Sequence, residues 1–479
     1  MDVKRNLTLL TDLYELTMMN GYLQKNKDNE VVIFDVFFRQ NELITYSLAA
    51  GLEQAVDYIL NFEFNSSDIE YLRSLNCFNE DFLNYLKNLK FSGDVYSVPE
   101  GTMVFPGEPI LTVKAPVIEA QLIETAILNI INHQTLIASK AAKIRYSAGS
   151  DNVMEFGLRR AQGPDAGIYG SRASVIGGCD ATSNVLAGKM FDIPVAGTHA
   201  HSWVMSFDSE YEAFRAYADI YPDKALFLVD TYDTLKSGIP NAIKVFDELR
   251  AEGKKPLGIR IDSGDLAYLT KKARKMLDEA GYEDAIICAS GDLDEKLIQS
   301  LKLQGAKIDS WGIGTKLITS ADMPALGGVY KLAGVVNEDG SITPKIKISE
   351  TSAKITNPGF KKVVRIYDGE TNKAEADLIM LYDETIDQSK PLTITHPYET
   401  WKKITFTNYK IKELSVKIIE NGKLVYKFPK VKDIATYAQE EMNSFWDEYL
   451  RLDRPHIYKV DLSDKLLNLK TEMLSKIRK

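Results

Sequence analysis

Cysteine is scarce in this chain of 479 residues, and long apolar runs are missing from it. The cysteines, Cys77, Cys179 and Cys288, lie far apart and form no Cys-x-x-Cys pair, which excludes a disulfide framework and a cysteine-based zinc site. No apolar run reaches the roughly 18 residues of a membrane span, and the first residues lack the apolar stretch of a signal peptide. We therefore expect a cytoplasmic protein without a membrane partner.

Basic residues are outnumbered as well. Lys and Arg total 58 against 67 Asp and Glu, which gives a net charge of −9, and no Lys/Arg-rich block interrupts this balance for long. We therefore expect no nucleic-acid partner. An anionic ligand would have to be bound by local groups of basic residues. The length exceeds that of one compact core and predicts two or three domains.

The two ends of the chain mix helical and β-prone segments, which Gly and Pro punctuate. The predicted elements are a helix over 5–22, a strand over 31–38, helices within 48–90, a small β-layer over 93–114, a helix over 118–147, β-prone and lysine-rich sequence over 325–410, and a helical C-terminal element over 430–479.

The centre of the chain has a regular rhythm. Short apolar runs end in Gly or polar residues, and most are followed by a helical pattern at about the spacing of one βα unit, roughly 30 residues. Strands that alternate with helices predict a parallel sheet, and a closed barrel would bring the carboxyl ends of all its strands to one rim, where the chemistry of such folds collects. The runs are 152–156, 194–197, 225–229, 257–261, 285–289 and 310–313.

Three of these runs end in glycine-containing turns. A turn of this kind can hold a phosphate because its free backbone N–H groups point at the anion, and Arg260 could make a paired contact with a phosphate or a carboxylate. Capped helices and tight βα turns have the same composition, so a structural role stays open. The turns are Asp262-Ser263-Gly264, Ser290-Gly291-Asp292 and Gly312-x-Gly314-Thr315.

An aromatic residue and two arginines follow the first run. The ring of Phe156 could stack on a planar ligand, an interaction worth about 0.5–1.5 kcal/mol beyond burial, with Arg159 and Arg160 close by in sequence. The alternative is a core phenylalanine beside two solvated arginines.

Two of the five histidines, His199 and His201, lie two residues apart after Gly197-Thr198. With no third His or Cys nearby, zinc is a poor interpretation. A histidine at a rim of acidic residues and glycines suits a general base or a covalent phosphoryl acceptor. From residue chemistry alone, a structural role for these two histidines remains open.

Taken in order, these segments resemble the nicotinate phosphoribosyltransferase family. The ordered set covers most of the first 365 residues and is far more specific than any single motif. The matching segments are Thr11-Asp12-Leu13-Tyr14-Glu15-Leu16-Thr17-Met18, Phe37-Phe38-Arg39, Glu155-Phe156-Gly157-x-Arg159-Arg160, Gly197-Thr198-x-Ala200-His201-Ser202, Ile259-Arg260-Ile261-Asp262-Ser263-Gly264-Asp265, Gly312-x-Gly314-Thr315 and Gly327-Gly328-Val329-Tyr330-Lys331-Leu332.

The resemblance implies an α/β fold with an irregular (β/α) barrel of the type II phosphoribosyltransferase kind, an N-terminal α/β sandwich domain and a helical C-terminal element. Residues 1–118 would form the sandwich domain, completed by strands from 325–410. Residues 119–324 would form the catalytic barrel, and residues 325–479 the return segment and C-terminal domain. Family members are usually homodimers whose subunits share their active sites.

The resemblance also implies a reaction. Nicotinate and 5-phosphoribosyl 1-diphosphate give nicotinate mononucleotide and diphosphate, with hydrolysis of ATP alongside, in the step that brings nicotinate into NAD synthesis. ATP and Mg²⁺ are the implied cofactors, and His201 resembles the phosphorylated histidine. We expect Asp230 or Asp262 to face His201 or the metal.

Further roles are implied residue by residue. Asp180 matches a base-proximal position of nicotinamide-specific relatives, although its charge would repel nicotinate, and His199 has no implied role. The implied ligand contacts are Tyr14 (from the partner subunit), Phe156, Thr198 and Arg260 for nicotinate; Arg159, Ser290, Gly291, Asp292, Gly314 and Thr315 for the phosphoribosyl group; and Arg39, Lys354 and Lys361 for diphosphate or ATP.

Three other functions compete with this one. A nicotinamide-specific enzyme could share the barrel, but the 11–18 and 197–202 segments favour the nicotinate type. A non-catalytic nucleotide-binding paralogue conflicts with the complete set of acidic, His and Arg positions. A phosphosugar aldolase or isomerase would need a Schiff-base lysine or a pair of bases at the strand ends, where Lys316 is the nearest lysine.

Overall fold

The computed structural model describes residues 5–39, 45–351, 354–396, 399 and 401–477. The chain leaves one compact unit, forms a second and returns to the first. The first unit contains Met1–Leu136, Ala325–Pro429 and Tyr437–Lys479, and the second contains Ile137–Pro324 and Lys430–Thr436.

The hydrogen bonds of Thr8 hold the residues before the first helix in a non-helical conformation. The Thr8 hydroxyl donates to Asn6 Oδ1 at 2.5 Å, lies 3.1 Å from the carbonyl oxygen of Glu63 and accepts from the backbone N–H of Glu63 at 2.8 Å. A helix over residues 5–22 is therefore wrong at its start, because these local side-chain bonds compete with helix formation. The helix begins at Leu13, after Asp12 in an extended conformation.

The remaining elements of the first 150 residues follow the predicted order. They are α1 (Leu13–Gln24), β1 (Val31–Phe38), β2 (Ser47–Leu48), α2 (Leu52–Asn61), α3 (Ser66–Ser74), α4 (Glu80–Leu86), β3 (Asp94–Ser97), β4 (Met103–Val104), β5 (Leu111–Pro116), α5 (Val117–Leu122) and α6 (Glu124–Ala148).

The central segment alternates short strands with helices. Its elements are β6 (Asn152–Glu155), α7 (Pro164–Ile176), β7 (Ala181–Thr182), α8 (Val185–Phe191), α9 (His201–Met205), α10 (Glu210–Ile220), β8 (Leu226–Leu228), α11 (Ile239–Ala251), β9 (Gly258–Ile261), α12 (Leu266–Glu279), β10 (Ile286–Gly291), α13 (Glu295–Leu303), β11 (Ser310–Ile313) and α14 (Thr315–Ile318). Short 3-10 turns occupy Leu158–Arg160 and Pro222–Lys224, and a π-helical turn occupies Thr234–Gly238.

The return segment is rich in strands and ends in helices. Its elements are β12 (Gly328–Val336), β13 (Ile342–Pro344), β14 (Lys361–Asp368), β15 (Ala374–Leu381), β16 (Leu392–Thr395), β17 (Lys403–Phe406), β18 (Tyr409–Glu413), β19 (Val416–Glu420), β20 (Lys423–Leu424), α15 (Val431–Asn443), α16 (Asp447–Leu450), β21 (Lys459–Leu462) and α17 (Asp464–Ile477).

The second unit is built on a parallel sheet of strand order β7-β6-β11-β10-β9-β8. Five of the six predicted runs form strands of this sheet, so the parallel α/β prediction is confirmed. The run at 194–197 contributes only a bridge between Val195 and Thr182, and the two-residue strand β7 was not predicted. Helices α10, α11 and α12 pack against β8, β9 and β10 through one apolar core. The carboxyl ends of these strands therefore lie at a common edge.

The first unit contains two larger sheets. The order β13-β12-β1-β5-β3-β19-β20 brings strands of the return segment beside the N-terminal ones, and β12 pairs antiparallel with β1. The second sheet has the order β17-β16-β21-β15-β14-β18. Strand β21 inserts between β16 and β15, so the 430–479 region is not purely helical. Its sequence, Lys459-Val460-Asp461-Leu462, is a short run between helical segments, and its pairing with β15 and β16 follows from tertiary structure.

Side chains that alternate along β1 point into two different apolar clusters. Val32, Phe34 and Val36 pack in the core with the N-terminal helices, whereas Ile33 packs with a smaller apolar cluster. Asp35 shares the Ile33 face because side chains alternate along a strand. There the Lys361 ammonium lies 2.7 Å from Asp35 Oδ2, with both side chains almost fully buried. An anion-binding role for Lys361 is therefore wrong, because its charge is already neutralised in the interior.

The described residues contain no helix that is long and apolar enough to cross a membrane. Cys77, Cys179 and Cys288 are all free thiols.

Replacing Lys361 by Met should lower the free energy of unfolding by about 3–5 kcal/mol, because it leaves the Asp35 carboxylate buried without its partner. Denaturant titration measures the loss. The matched control is Lys354→Met, at an exposed position, which should stay within about 0.5 kcal/mol of the parent. Equal stability of the two variants would contradict the structural role of Lys361.

Candidate active site

Arg260, on β9, connects three of the strand ends. Its Nε donates to Ser290 Oγ at 2.9 Å, and its Nη1 donates to Thr198 Oγ1 at 2.5 Å and to the His199 carbonyl at 3.3 Å. Its Nη2 lies 3.4 Å from Asp262 Oδ1. A guanidinium carries five N–H groups. Among the described residues, these contacts use four of them, so one Nη2 hydrogen remains for a ligand. Since 14% of the side chain is exposed, an anion can approach it.

Phe156 supplies a flat apolar surface next to this guanidinium. The Arg260 Cζ atom lies 6.0 Å from the centroid of its ring. The ring covers the backbone of Gly312, where an added Cβ would lie 2.6 Å from the ring atoms Cδ2 and Cε2. Glycine is therefore required at 312 for this ring position. A planar anion could stack on Phe156 while its charged group faces Arg260 and Thr198.

Glu155 fixes the turn that presents Phe156. This carboxylate is fully buried and accepts hydrogen bonds from the hydroxyls of Ser171 at 3.0 Å and Thr182 at 2.6 Å, and from the backbone N–H of Gly157. Sequence reasoning did not assign Glu155 a role. A single acid at the end of an apolar run was the available signal.

His201 stands at the start of α9 and faces the end of β8. Its Nδ1 lies 3.2 Å from the Thr231 hydroxyl, and its Nε2 lies 3.9 Å from Asp230 Oδ1. The imidazole is 39% exposed, whereas the Asp230 side chain is 2% exposed. His201 is thus open to a ligand on one side and faces a buried carboxylate on the other. Thr231 was not predicted, because an ordinary hydroxyl gives no sequence signal.

Asp230 and Asp262 have different surroundings. Oδ2 of Asp230 accepts from the backbone N–H of Asp262 at 2.9 Å and from Ser263 Oγ at 2.6 Å, and its Oδ1 has no hydrogen-bond partner in the described part of the chain. Asp262 instead accepts from the Ser290 hydroxyl and contacts Arg260. Asp230 is therefore the carboxylate that faces His201.

Backbone conformation explains the glycine at 291. It adopts φ +117°, and an added Cβ would lie 2.8 Å from the Asp262 carbonyl oxygen. Asp292, directly after it, is exposed, as a residue that binds sugar hydroxyls must be.

Arg159 lies on an exposed 3-10 turn, and Gly314 and Thr315 are half-buried at the start of α14. The two segments meet closely, because a Cβ at Gly157 would lie 2.8 Å from the Gly314 carbonyl oxygen. The backbone of the turn that carries Arg159 therefore lies against the start of α14.

Asp180 lies at the opposite end of the sheet. Its carboxylate accepts from the backbone N–H of Val153 at 2.7 Å, where β6 begins, and from Arg145 Nη2 at 2.5 Å. The catalytic chemistry of parallel sheets collects at the carboxyl ends of the strands. A base-proximal role for Asp180 is therefore wrong, and its contacts are structural.

Tyr14, Arg39 and Lys354 belong to the first unit. Tyr14 is 48% exposed on α1, Lys354 is exposed, and Arg39 is half-buried just after β1. Beside Tyr14 lies an acidic cluster that the sequence pattern does not predict. The Gln121 amide donates to both Glu15 and Glu124, and Lys331 Nζ lies 3.8 Å from Glu124 Oε1.

Burial raises the pKa of both carboxyls in this cluster, that of Glu124 to about 7, and the charge of Glu15 adds to the effect on Glu124. Two acids so close together favour a state in which one of them holds a proton.

Comparison with known proteins agrees with this geometry. Family profiles match residues 9–132 (nicotinate phosphoribosyltransferase N-terminal domain), 152–396 (nicotinate phosphoribosyltransferase family) and 360–470 (nicotinate phosphoribosyltransferase C-terminal domain). The nicotinate phosphoribosyltransferase of Bacillus subtilis (strain 168) is 49% identical over 474 residues, which are 99% of this chain and 96% of that one. This chain belongs to the nicotinate phosphoribosyltransferase family.

More distant members of the nicotinate phosphoribosyltransferase family agree over similar lengths. The Caenorhabditis elegans relative is 37% identical over 96% of this chain and 92% of its own. The crystal structure of human nicotinic acid phosphoribosyltransferase superposes with a TM-score of 0.86 at 30% identity, covering 97% of this chain and 99% of that one. The predicted type II phosphoribosyltransferase fold is confirmed. Nicotinate-nucleotide pyrophosphorylase from Pyrococcus furiosus, at 22% identity and a TM-score of 0.69, shares the fold.

The acidic cluster beside Tyr14 predicts a pH-dependent stability. Because the folded pKa of Glu124, about 7, lies above the ordinary value of 4.5, its contribution is complete below about pH 4.5 and is lost as the pH rises through 7. Glu124→Gln is neutral at every pH. Its free energy of unfolding, relative to the parent, should therefore be higher at pH 8 than at pH 5, by more than about 0.5 kcal/mol. Denaturant titrations at the two pH values measure this, and a difference that does not change with pH would exclude the raised pKa.

Proposed function

We propose that this enzyme joins nicotinate to the ribosyl 5-phosphate of 5-phosphoribosyl 1-diphosphate, releasing diphosphate and coupling the reaction to hydrolysis of ATP through a phosphohistidine. The main support is the arrangement of Phe156, Arg260 and Thr198 at the rim of a barrel that matches this family. It combines an aromatic surface, a guanidinium with a free N–H and a hydroxyl, which together fit a flat aromatic carboxylate. Free thiols at all three cysteines favour a cytoplasmic location.

In this proposal the pyridine ring lies on Phe156 and its carboxylate faces Arg260 and Thr198. The ring nitrogen then points away from Arg260, towards the phosphoribosyl substrate. Tyr14, supplied by a second copy in a homodimer, covers the other face of the ring; its half-exposed side chain on α1 is available for such a contact.

The chemical step needs no base. A bond forms between the pyridine nitrogen and the anomeric carbon, while the bond from that carbon to diphosphate breaks. The nitrogen already carries a lone pair, so no proton moves. The enzyme must hold the ring in line and neutralise the leaving diphosphate. We assign the 5-phosphate to Arg159 with the Gly314-Thr315 turn and the ribose hydroxyls to Asp292, with Ser290 and Gly291 shaping that turn. Arg39 and Lys354 are assigned to diphosphate or ATP.

His201 is the proposed phosphoryl acceptor. Asp230 faces Nε2 and favours a hydrogen there, so Nδ1 carries the attacking lone pair, which must leave the Thr231 hydroxyl as ATP approaches. The Thr231 hydroxyl contacts Nδ1 and can orient it. Transfer of the γ-phosphoryl group from ATP to Nδ1 releases ADP, and water later cleaves the P–N bond. Asp230 stabilises the positive charge that the ring carries meanwhile.

Mg²⁺ would fit this rim together with substrate oxygens. No group of three His, Cys, Asp or Glu residues capable of holding a metal occurs within the described ranges. Mg²⁺ is commonly held by one or two carboxylates, with water and phosphate oxygens supplying the remaining ligands. Asp230, with its unpartnered Oδ1, and Asp262 are the proposed carboxylates. The bound ion would neutralise charge on the polyphosphates.

Arg260→Gln should reduce kcat/KM for nicotinate by about 10- to 100-fold, because a charge-assisted hydrogen bond worth about 1.5–3 kcal/mol is lost. Turnover of nicotinamide, which has no charge to pair, should change less, so the preference for the acid shrinks. Release of diphosphate from each substrate is the assay. Arg250→Gln is the control, since Arg250 stacks on Tyr282 away from the rim. An unchanged preference in Arg260→Gln would contradict this substrate assignment.

His201→Ala should abolish protein labelling by γ-labelled ATP and the stimulation of turnover by ATP, while diphosphate release without ATP remains. Asp230→Asn should slow labelling by about tenfold or more, through loss of a charge-assisted contact. Asp265→Asn, which keeps the cap of α12, should label like the parent. ATP-stimulated turnover with labelling in His201→Ala would refute the phosphohistidine.

A further inference from the structure

The segment 194–200, before His201, lies beside β8, but among the described residues no backbone-to-backbone hydrogen bonds join the two. Upstream, its pairing with β7 is ordinary: Thr182 N donates to the Pro194 carbonyl and Ala196 N to the Thr182 carbonyl, both at 3.0 Å. On the other side, the backbone N–H of Leu228 in β8 donates to Nε2 of His199 at 3.3 Å. The imidazole thus takes the place that a strand carbonyl would occupy.

The ring of His199 is held in this position. It is buried, and it packs edge-on against Tyr217 of α10 with 4.9 Å between ring centroids. The charged and titratable groups around it are Arg260, whose Nη1 binds the His199 carbonyl, His201 and Tyr217. Burial lowers the pKa of His199 to about 4. The ring is therefore neutral near pH 7, and Nε2 can accept a hydrogen bond.

The same two segments contact each other a second time, two residues further along each segment. His201 follows His199 by two residues, and Asp230 follows Leu228 by two. The first meeting is the His199–Leu228 hydrogen bond. The second is the contact of His201 with Asp230 and Thr231. The first contact therefore lies two residues from the groups that make the second.

We propose that His199 is a positioning residue, whose hydrogen bond to Leu228 sets the separation of His201 from Asp230 and Thr231 for phosphorylation. The inference rests on the proposed phosphohistidine. Loss of the acceptor should move His201 relative to its partners, and displacements of about 1 Å at a reacting group can cost about 100-fold in rate.

The test is the rate of labelling by γ-labelled ATP, divided by the rate of diphosphate release without ATP, which does not require His201. His199→Phe keeps the ring packing and removes the acceptor, so this ratio should fall about 10- to 100-fold. His199→Gln places an amide oxygen near the former Nε2 and should restore most of it. His133→Phe, at a half-buried histidine whose pKa is also lowered by burial, is the control and should leave the ratio unchanged.

The outcomes separate the two proposals. An unlabelled parent protein would refute the phosphohistidine itself. A labelled parent with the ratio unchanged in His199→Phe would overturn the positioning role, and so would a failure of His199→Gln to exceed His199→Phe. If His199→Phe does not fold, His199→Asn replaces it. Its amide is one methylene too short to reach Leu228, and its ratio should lie well below that of His199→Gln.

Discussion

The guanidinium of Arg260 is the contact on which the rim of the parallel sheet depends. It joins side chains or carbonyls from the ends of three separate chain segments, through Ser290, Thr198, His199 and Asp262. Parallel strands have no hairpins at their ends to fix the relative positions of their loops. A rigid, five-donor side chain supplies those connections instead. The same group presents its remaining N–H beside the Phe156 ring, so one residue both orders the rim and offers a charge to a ligand.

The carboxylates at this rim accept hydrogen bonds from neighbouring hydroxyls and backbone N–H groups. Glu155 accepts from two hydroxyls and a backbone N–H, and Asp262 accepts from Ser290 and faces Arg260. Asp230 accepts through Oδ2, while its Oδ1 has no partner among the described residues. These contacts distinguish Asp230 from Asp262, which the sequence alone does not, because both follow neighbouring strands. The acid whose free oxygen faces an imidazole is suited to electrostatic stabilisation, and the acid bonded to Arg260 is suited to holding that guanidinium in place.

The sequence predicted the elements that hydrophobic runs between turns determine, and it missed those determined by single contacts. β1 and β11 have the predicted bounds, because hydrophobic runs bounded by turns determine them locally. The Thr8 hydroxyl holds the residues before α1 out of the helix, and β21 depends on strands distant in sequence. For the site, motif order identified most rim residues. It could not identify Thr231, or separate Lys361 from exposed lysines, since burial against Asp35 follows from tertiary structure alone.

An acidic chain can still bind anions at such a rim because the local field differs from the net charge of −9. Hydrogen bonds to a carboxylate disperse its charge, and a guanidinium a few ångströms away opposes what remains. Asp262 is offset by Arg260 in this way, and Asp230 is bound by Ser263 and a backbone N–H. Their like charge therefore repels an approaching carboxylate or phosphate less than two free aspartates would. Oδ1 of Asp230, which has no hydrogen-bond partner among the described residues, is directed at His201, where its negative charge would favour the positively charged ring of the proposed phosphohistidine.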